Sequence, residues 1–399
     1  MIGPTPRRLW KYVVQRLRLQ SYFRSPGDGR RRPQIPARAL LWGLLIGQVL
    51  RECAFHGVEA LVRSTARPAL GVSTAFGDDA LAYFTERLDP APTRAALAHT
   101  VRQAKRNKAF AASSFIGLAV DGTMAGRCRV AACPLCWPIY NPNAPDEIVG
   151  YRHHLVLLSV VGSGLALPFD VEACGRGEGE TTAGQRLLER AVASVGARCA
   201  DYVVVDADFA KAPFLHAVGD LGLRVVVRLK DNLPELREAA HARFDSQLPH
   251  ATFEEGRDRI EVWDADDFDP WEALRWPTVR VLRYRQHKPD GKVIEASWLT
   301  DFATHLVESR TLYRMAKARW EIENEGFNDA KTRHGLEHIC HHDATSLLIS
   351  WLLTIFALVI ERLYRLRYLH RGLHRVRTAI ELVRLLRLTL SRPLTADTS

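Results

Sequence analysis

The stretch DYVVVDADFAKAPFLHAVGDLGLRVVVRLKDN, residues 201–232, decides how the chain folds. Its first apolar run is β-branched and ends at Asp206, and FAKAPFLHAVGDLG then spaces apolar residues at helical intervals. RVVVRLKDN supplies a second β-branched run. Strand, helix and strand in that order make a parallel pair with a crossover helix, the unit of an α/β sheet. Upstream, SFIGLAVDG (114–122) is a strand-like run closing on Asp121, and HHLVLLSVVGSGLALPFDV (153–171) reads as two strands about a glycine turn. GETTAGQRLLERAVASVG (179–196) reads as a helix with Thr181 or Thr182 near its cap.

Outside this region the texture changes. Residues 5–24 and several segments between 37 and 110 show helical spacing, around a Gly/Pro/Arg-rich loop at 26–33. An all-α amino-terminal part with a basic face follows. Between 231 and 305, DRIEVWDADDF, TVRVLRYRQH and KVIEASWLTDF read as antiparallel strands, with KPDGK as a turn. Helix returns over 308–335 and again over 346–372. The run from Ala344 to Ile360 is uncharged and apolar, but slightly short of the ~20 residues that span a bilayer, so it reads as a buried core helix and no membrane is expected.

The 399 residues carry a net charge of +10 and a pI near 9.4, which favour a polyanionic partner. Residues 1–40 hold ten Lys/Arg against Asp28 alone, and 361–399 hold nine Arg against Glu361, Glu381 and Asp397. Both ends can grip phosphates, a contact that gives affinity without sequence information. Seven cysteines in a long chain do not read as a disulfide framework, and no secretory signal opens it. A reducing bacterial cytoplasm, at the nucleoid, is the expected location.

Asp121, Asp206 and Glu323 in RWEIENEGFNDAK are the candidate chemical residues. Acids brought from two strands and a helix suit a pair of divalent ions that catalyse in-line displacement at phosphorus. Asp208 and Glu325 are rivals for the second and third places. Asp206 is preferred because it directly ends the valine run, and Glu323 because Ile322 fixes its helical face.

These segments resemble DDE-type insertion-sequence transposases with a retroviral-integrase or RNase H-like core, in the group with a β-rich insertion between the second Asp and the Glu. DGT (121–123), VVVDADFAKAPFLHAV (203–218), VVVRLKDN (225–232) and RWEIENEGFNDAKTRHGLEH (319–338) carry the resemblance, which runs from about 114 to 360. It implies an α/β fold, with an RNase H-like mixed sheet flanked by helices. The parts would be a helical DNA-binding region 1–112, a core over 113–230 and 306–345, a β-rich insertion 231–305, and carboxyl-terminal helices 346–399 that mediate self-association. It also implies that Asp121, Asp206 and Glu323 hold Mg²⁺, with Mn²⁺ as a substitute. Arg319 would contact phosphate near the cut and Lys331 the same strand further along, with Arg228 and Lys230 as further DNA contacts. The expected activity is cleavage at the terminal inverted repeats and strand transfer into target DNA, by a homodimer on paired ends. Two departures stand out. The Tyr expected three residues before Arg319 is Ala316, with Tyr313 one turn earlier, and Lys331 lies one residue further from Glu323 than the commonest spacing.

Three further signals remain. Cys128, Cys133 and Cys136 form C-x4-C-x2-C with His153 and His154 downstream, so zinc at Cys133 and Cys136 is one reading and free thiols the other. His338, His341 and His342 read as helix-end polar residues or phosphate contacts, with a further metal site as the alternative. Trp271, Trp276 and Trp298 read mainly as packing of the β-rich part, with stacking on a flipped base as the alternative.

Overall fold

In the computed structural model the described residues are 4–369, 376 and 378–390. The amino-terminal part is helical: α1 (Pro6–Lys11), α2 (Gln20–Arg24), α3 (Ala37–Val49), α4 (Phe55–Arg63), α5 (Arg67–Leu70), α6 (Asp78–Glu86) and α7 (Pro90–Arg106). Side-chain caps and prolines start two of them. The Thr5 hydroxyl accepts the Arg8 N–H ahead of α1, and the Asp89 carboxylate accepts that of Ala91 ahead of α7. The expected helix over 5–24 is broken at Arg18, which has φ of +57°.

Strands β1 (Gly117–Cys128), β2 (Trp137–Asn141), β3 (Ala144–Val161) and β4 (Leu167–Ala173) come next, then α8 (Glu180–Val195), β5 (Tyr202–Val205), α9 (Ala212–Asp220) and β6 (Arg224–Leu229). The crossover unit is as expected, since β5 pairs parallel with both β1 and β6. Gly179 rather than a threonine caps α8, and the Thr181 hydroxyl instead donates to the Asp208 carbonyl.

The 231–305 stretch opens with α10 (Pro234–Asp245), followed by β7 (Ala251–Glu255), β8 (Asp258–Phe268), β9 (Val279–His287) and β10 (Val293–Thr300). These strands form an antiparallel run, and β10 then pairs with β6, Trp298 opposite Arg228. They therefore continue the core sheet. Its order is β2-β3-β1-β5-β6-β10-β9-β8-β7, with β4 on β3. The fold is a mixed α/β sheet flanked by helices.

Helices α11 (Ser309–Lys317), α12 (Arg319–Glu321), a π turn at Ile322–Phe327 and α13 (Asn328–His334) follow in one continuous path. Then come α14 (Ala344–Tyr364) and α15 (Ala379–Leu390). The Asp343 carboxylate caps α14, which packs against α3, α6, α7, α13 and β4. It is the one helix among the described residues long and apolar enough to cross a membrane, and 78% of its apolar window is buried inside the protein. Self-association was expected from the carboxyl-terminal helices, but α14 spends its apolar faces on the internal core. Leu366, just past α14, and Ile380 and Leu388 of α15 leave large apolar side chains outside, at 41%, 55% and 60% exposure. Residues 370–375, 377 and 391–399 of that region, and 1–3 at the other end, lie outside the described residues.

Candidate active site

Asp121 was expected just past a strand's end, yet it lies inside β1. The reason is that β1 has two partners of different reach. Its pairing with β5 stops at Ala119 opposite Val204, while its pairing with β3 runs on to Cys128. Asp121 stands two residues past Ala119, and Asp206 two residues past Val204. The parallel register thus sets both acids side by side where the sheet opens.

The two faces of β1 are covered by different helices. A Cβ on Gly184 of α8 would touch Val120, whereas one on Gly326 of the π turn would touch Leu157, the residue opposite Asp121. Alternation along the strand therefore sends Asp121 toward the helix that carries Glu323. Between them lies Arg319, only 7% exposed. Its Nη1 is 3.3 Å from Asp121 Oδ2, and its Nη2 is 2.7 Å from Glu323 Oε1. Asp206 also feels the Arg319 charge and accepts a hydrogen bond from Lys230 Nζ at 2.8 Å. Arg319 thus bridges Asp121 and Glu323, while Asp206 is held by Lys230 and only senses the same guanidinium's charge.

Neither rival acid joins them. Glu325 lies 3.9 Å from Arg362 Nη1, and Asp208 is exposed on the short turn after Asp206. The π turn also explains the odd spacing of Lys331. Such a turn takes up one more residue than an α turn, which absorbs the extra residue between Glu323 and Lys331. Lys331 does not touch the acids and instead pairs with Glu337 at 3.0 Å.

The charges at this site do not balance. Burial pushes the Asp121 carboxyl up to about 7, against the pull of Arg319 and with added repulsion from Glu323 and Glu180. Asp206 differs. Burial opposes its charge, but the Lys230 ammonium and the Ala207 N–H outweigh that and hold it below the ordinary carboxylate range. Glu180 was not foreseen. It sits in the first turn of α8, and a Cβ on Gly122 would collide with its carboxylate. The glycine after Asp121 is thus what lets a fourth negative charge approach from the other face of β1. The only prior signal was the acid that follows a glycine-rich loop, GRGEGE.

These donors suit a hard divalent cation. All are carboxylate oxygens, and a half-buried Asp held near 7 is a site short of positive charge. Two nearby guanidiniums also have spare donors. Arg319 Nε and Arg228 Nη1 are buried with no hydrogen-bond partner among protein atoms. Arg228 lies over the Trp298 ring at 5.5 Å, and its charge is felt by both Asp206 and Arg319.

The weaker signals resolve as follows. Trp298 is 1% exposed and packs edge-on against Trp320, and Trp271 and Trp276 pack against the core, so Trp298 has no face for a flipped base. His341 pairs with Glu86 at 2.8 Å, while His342 stands beside His153.

Residues 113–360 match the family model of the transposase DDE domain. No curated protein sequence matches the chain. Among solved structures, one match is a piggyBac transposase synaptic complex with hairpin DNA, at 11% identity and a TM-score of 0.46, covering 98% of this chain and 83% of that one. The family match takes in β1, the crossover unit and the helix bearing Glu323, and the chain belongs to the transposases with a DDE domain.

Proposed function

We propose that this transposase cleaves DNA strands at the ends of its own element and transfers the freed 3′ ends into target DNA, using Asp121, Asp206 and Glu323 as its metal-holding acids. The observation that carries this reading is Arg319 bridging Asp121 and Glu323, with the parallel register of β1 and β5 carrying Asp206 to the same end of the sheet. Two Mg²⁺ ions, or Mn²⁺ in their place, bound there would activate a water or 3′-hydroxyl and stabilise the leaving oxygen.

The chain's own residues do the positioning. Arg319 is held between Asp121 and Glu323 with its Nε free of protein partners, and a DNA phosphate is the anion that completes it. Arg228 offers its spare Nη1 to the same backbone from β6. Lys230 keeps Asp206 ionised, and so ready to ligate. Lys331, one helical stretch beyond Glu323, holds the strand away from the cut.

Terminal inverted repeats would be bound by the basic amino-terminal helices, and two copies would meet on paired ends through α15. The protein would act in the bacterial cytoplasm, on nucleoid DNA. A donor plasmid carrying the DNA that flanks the coding region tests this, incubated with protein and Mg²⁺. Nicks with 3′-hydroxyls at the element ends and a joined product are expected, both lost in Asp121→Asn, Asp206→Asn and Glu323→Gln. Hydrolysis with no joined product would mean a nuclease, and binding without any cleavage a silent DNA-binding protein.

A further inference from the structure

Away from the carboxylates, a second cluster of ligating side chains gathers at the β2–β3–β1 edge of the sheet. Cys128 closes β1, Cys133 and Cys136 lie in the loop that leads to β2, and His153 sits within β3. His153 Nε2 is 3.2 Å from Cys133 Sγ and 3.5 Å from Cys136 Sγ. Cys136 Sγ is in turn 3.6 Å from Cys133 Sγ and 3.8 Å from Cys128 Sγ. Around a tetrahedral Zn²⁺, with bonds of about 2.3 Å to sulfur and about 2.0 Å to nitrogen, ligand atoms stand about 3.8 Å apart between sulfurs and about 3.5 Å between sulfur and nitrogen. These four separations match edges of such a tetrahedron, three of them closing the face Cys133–Cys136–His153 and the fourth leading from Cys136 to Cys128.

We infer that Cys128, Cys133, Cys136 and His153 form a structural zinc site that clamps the far end of the strand carrying Asp121. The sequence placed Cys128, His153 and His154 near the CPLC pair without choosing among them; β3 brings His153 to that pair, and β1 brings Cys128 to Cys136. Three thiolates and an imidazole select zinc over the hard cations that suit the carboxylates. Four protein ligands also close the shell, as in structural rather than catalytic sites.

The local structure gives the clamp a task. Residues 129–132 are exposed, with Val130 at 69%, so this part of the loop has little apolar anchorage. Its ends are fixed instead by Cys128 and by the buried Cys136 and His153. Just before Cys128 the β1–β3 register shifts between Met124 and Arg127. Gly126 lies there at φ of +102°, and a Cβ on it would come within 2.7 Å of the Glu337 carbonyl. Holding this bulge fixes β1 against the segment that follows α13, so the clamp braces both elements that bring acids to the active site. The ligand atoms of Cys128, His153 and His342 also lie within 4.8 Å of one another, and Cys128 rather than His342 takes the fourth place because its Sγ stands 3.8 Å from Cys136 Sγ.

Elemental analysis of the full-length chain, purified without chelator, tests this independently of any DNA reaction. One zinc per chain that survives dialysis is expected, lost in Cys133→Ser and in His153→Ala and retained in His342→Ala. Cobalt exchange into the unaltered protein removes dependence on the folding of any variant. It should give the thiolate charge-transfer and tetrahedral d–d bands of a three-sulfur site. Zinc absent at stoichiometric level, zinc kept by a Cys133→Ser/Cys136→Ser variant, zinc lost from His342→Ala but kept by Cys133→Ser, or a cobalt spectrum without thiolate bands would each overturn the assignment.

Discussion

The helical path from Arg319 to His334 has an ion cluster at each end, and the two are built in opposite ways. At the far end the Glu361 carboxylate, 1% exposed, has Arg51 at 2.7 Å, His334 at 3.4 Å and Arg365 at 3.5 Å. Burial opposes its charge, but the His334 ring and the Arg51 guanidinium outweigh that and hold the carboxyl well below the usual range. Burial also keeps His334 below its ordinary value, so the guanidiniums supply the positive charge at neutral pH. At the near end Arg319 serves Asp121 and Glu323, Lys230 serves Asp206, Glu180 adds repulsion, and Asp121 is driven up to about 7. One cluster satisfies its acid, and the other leaves acids in surplus. Surplus negative charge at an opening in the sheet, rather than the mere presence of Arg–carboxylate pairs, singles out the end proposed as reactive.

Substitution should separate the two ends. Asp121→Asn is expected to lower strand cleavage on the order of 10³-fold, the worth of several kcal/mol of barrier, without lowering the melting temperature. Glu361→Ala should do the reverse. Losing one partner of a buried pair costs about 3–5 kcal/mol, read as a lower denaturation midpoint, while cleavage per folded molecule stays near normal. If Asp121→Asn unfolds the protein, or Glu361→Ala abolishes cleavage in folded material, the contrast fails.

A pH series sharpens the same difference. A carboxyl raised above its unfolded value contributes its stability fully below the unfolded value near 4, and loses it as pH rises through the folded value near 7. Without divalent ions, Asp121→Asn should therefore match the parent at pH 4 and exceed it by about 1–3 kcal/mol at pH 8. Added Mg²⁺ should narrow that gap by stabilising the parent alone. An unchanged gap across pH would mean that Asp121 is not buried in surplus charge. The smallest expected effect belongs to Glu180→Gln, which removes one repulsive neighbour. It should move the acid limb of the cleavage profile to lower pH by less than about one unit, leaving the maximal rate nearly unchanged.

Much of this was legible before folding. The β-branched run ending at Asp206 and the helix bearing Arg319 and Glu323 declared themselves through local periodicity. So did the apolar run that became α14, since its uncharged length fits a core. What escaped depended on contacts between distant parts. Glu180 reaches Asp121 only because Gly122 has no side chain, which no local pattern announces. Strands β8 to β10 read as antiparallel, β7 went unread, and the return onto β6 is set by long-range register. Helix α10 was missed although Leu236, Ala240 and Phe244 are buried four residues apart behind a Pro at its start, a signal that was available. Arg319 was expected to face DNA, and its tie to two acids needed β1 beside the helix.

Titration with Mn²⁺, followed by the loss of free-ion paramagnetic signal, tests the shared acidic pocket most directly. The account predicts saturable binding by the parent that weakens at least about tenfold in each of Asp121→Asn, Asp206→Asn and Glu323→Gln, the scale of a lost ligand, and persists in Glu325→Gln. Undiminished affinity in any one of the first three would contradict it.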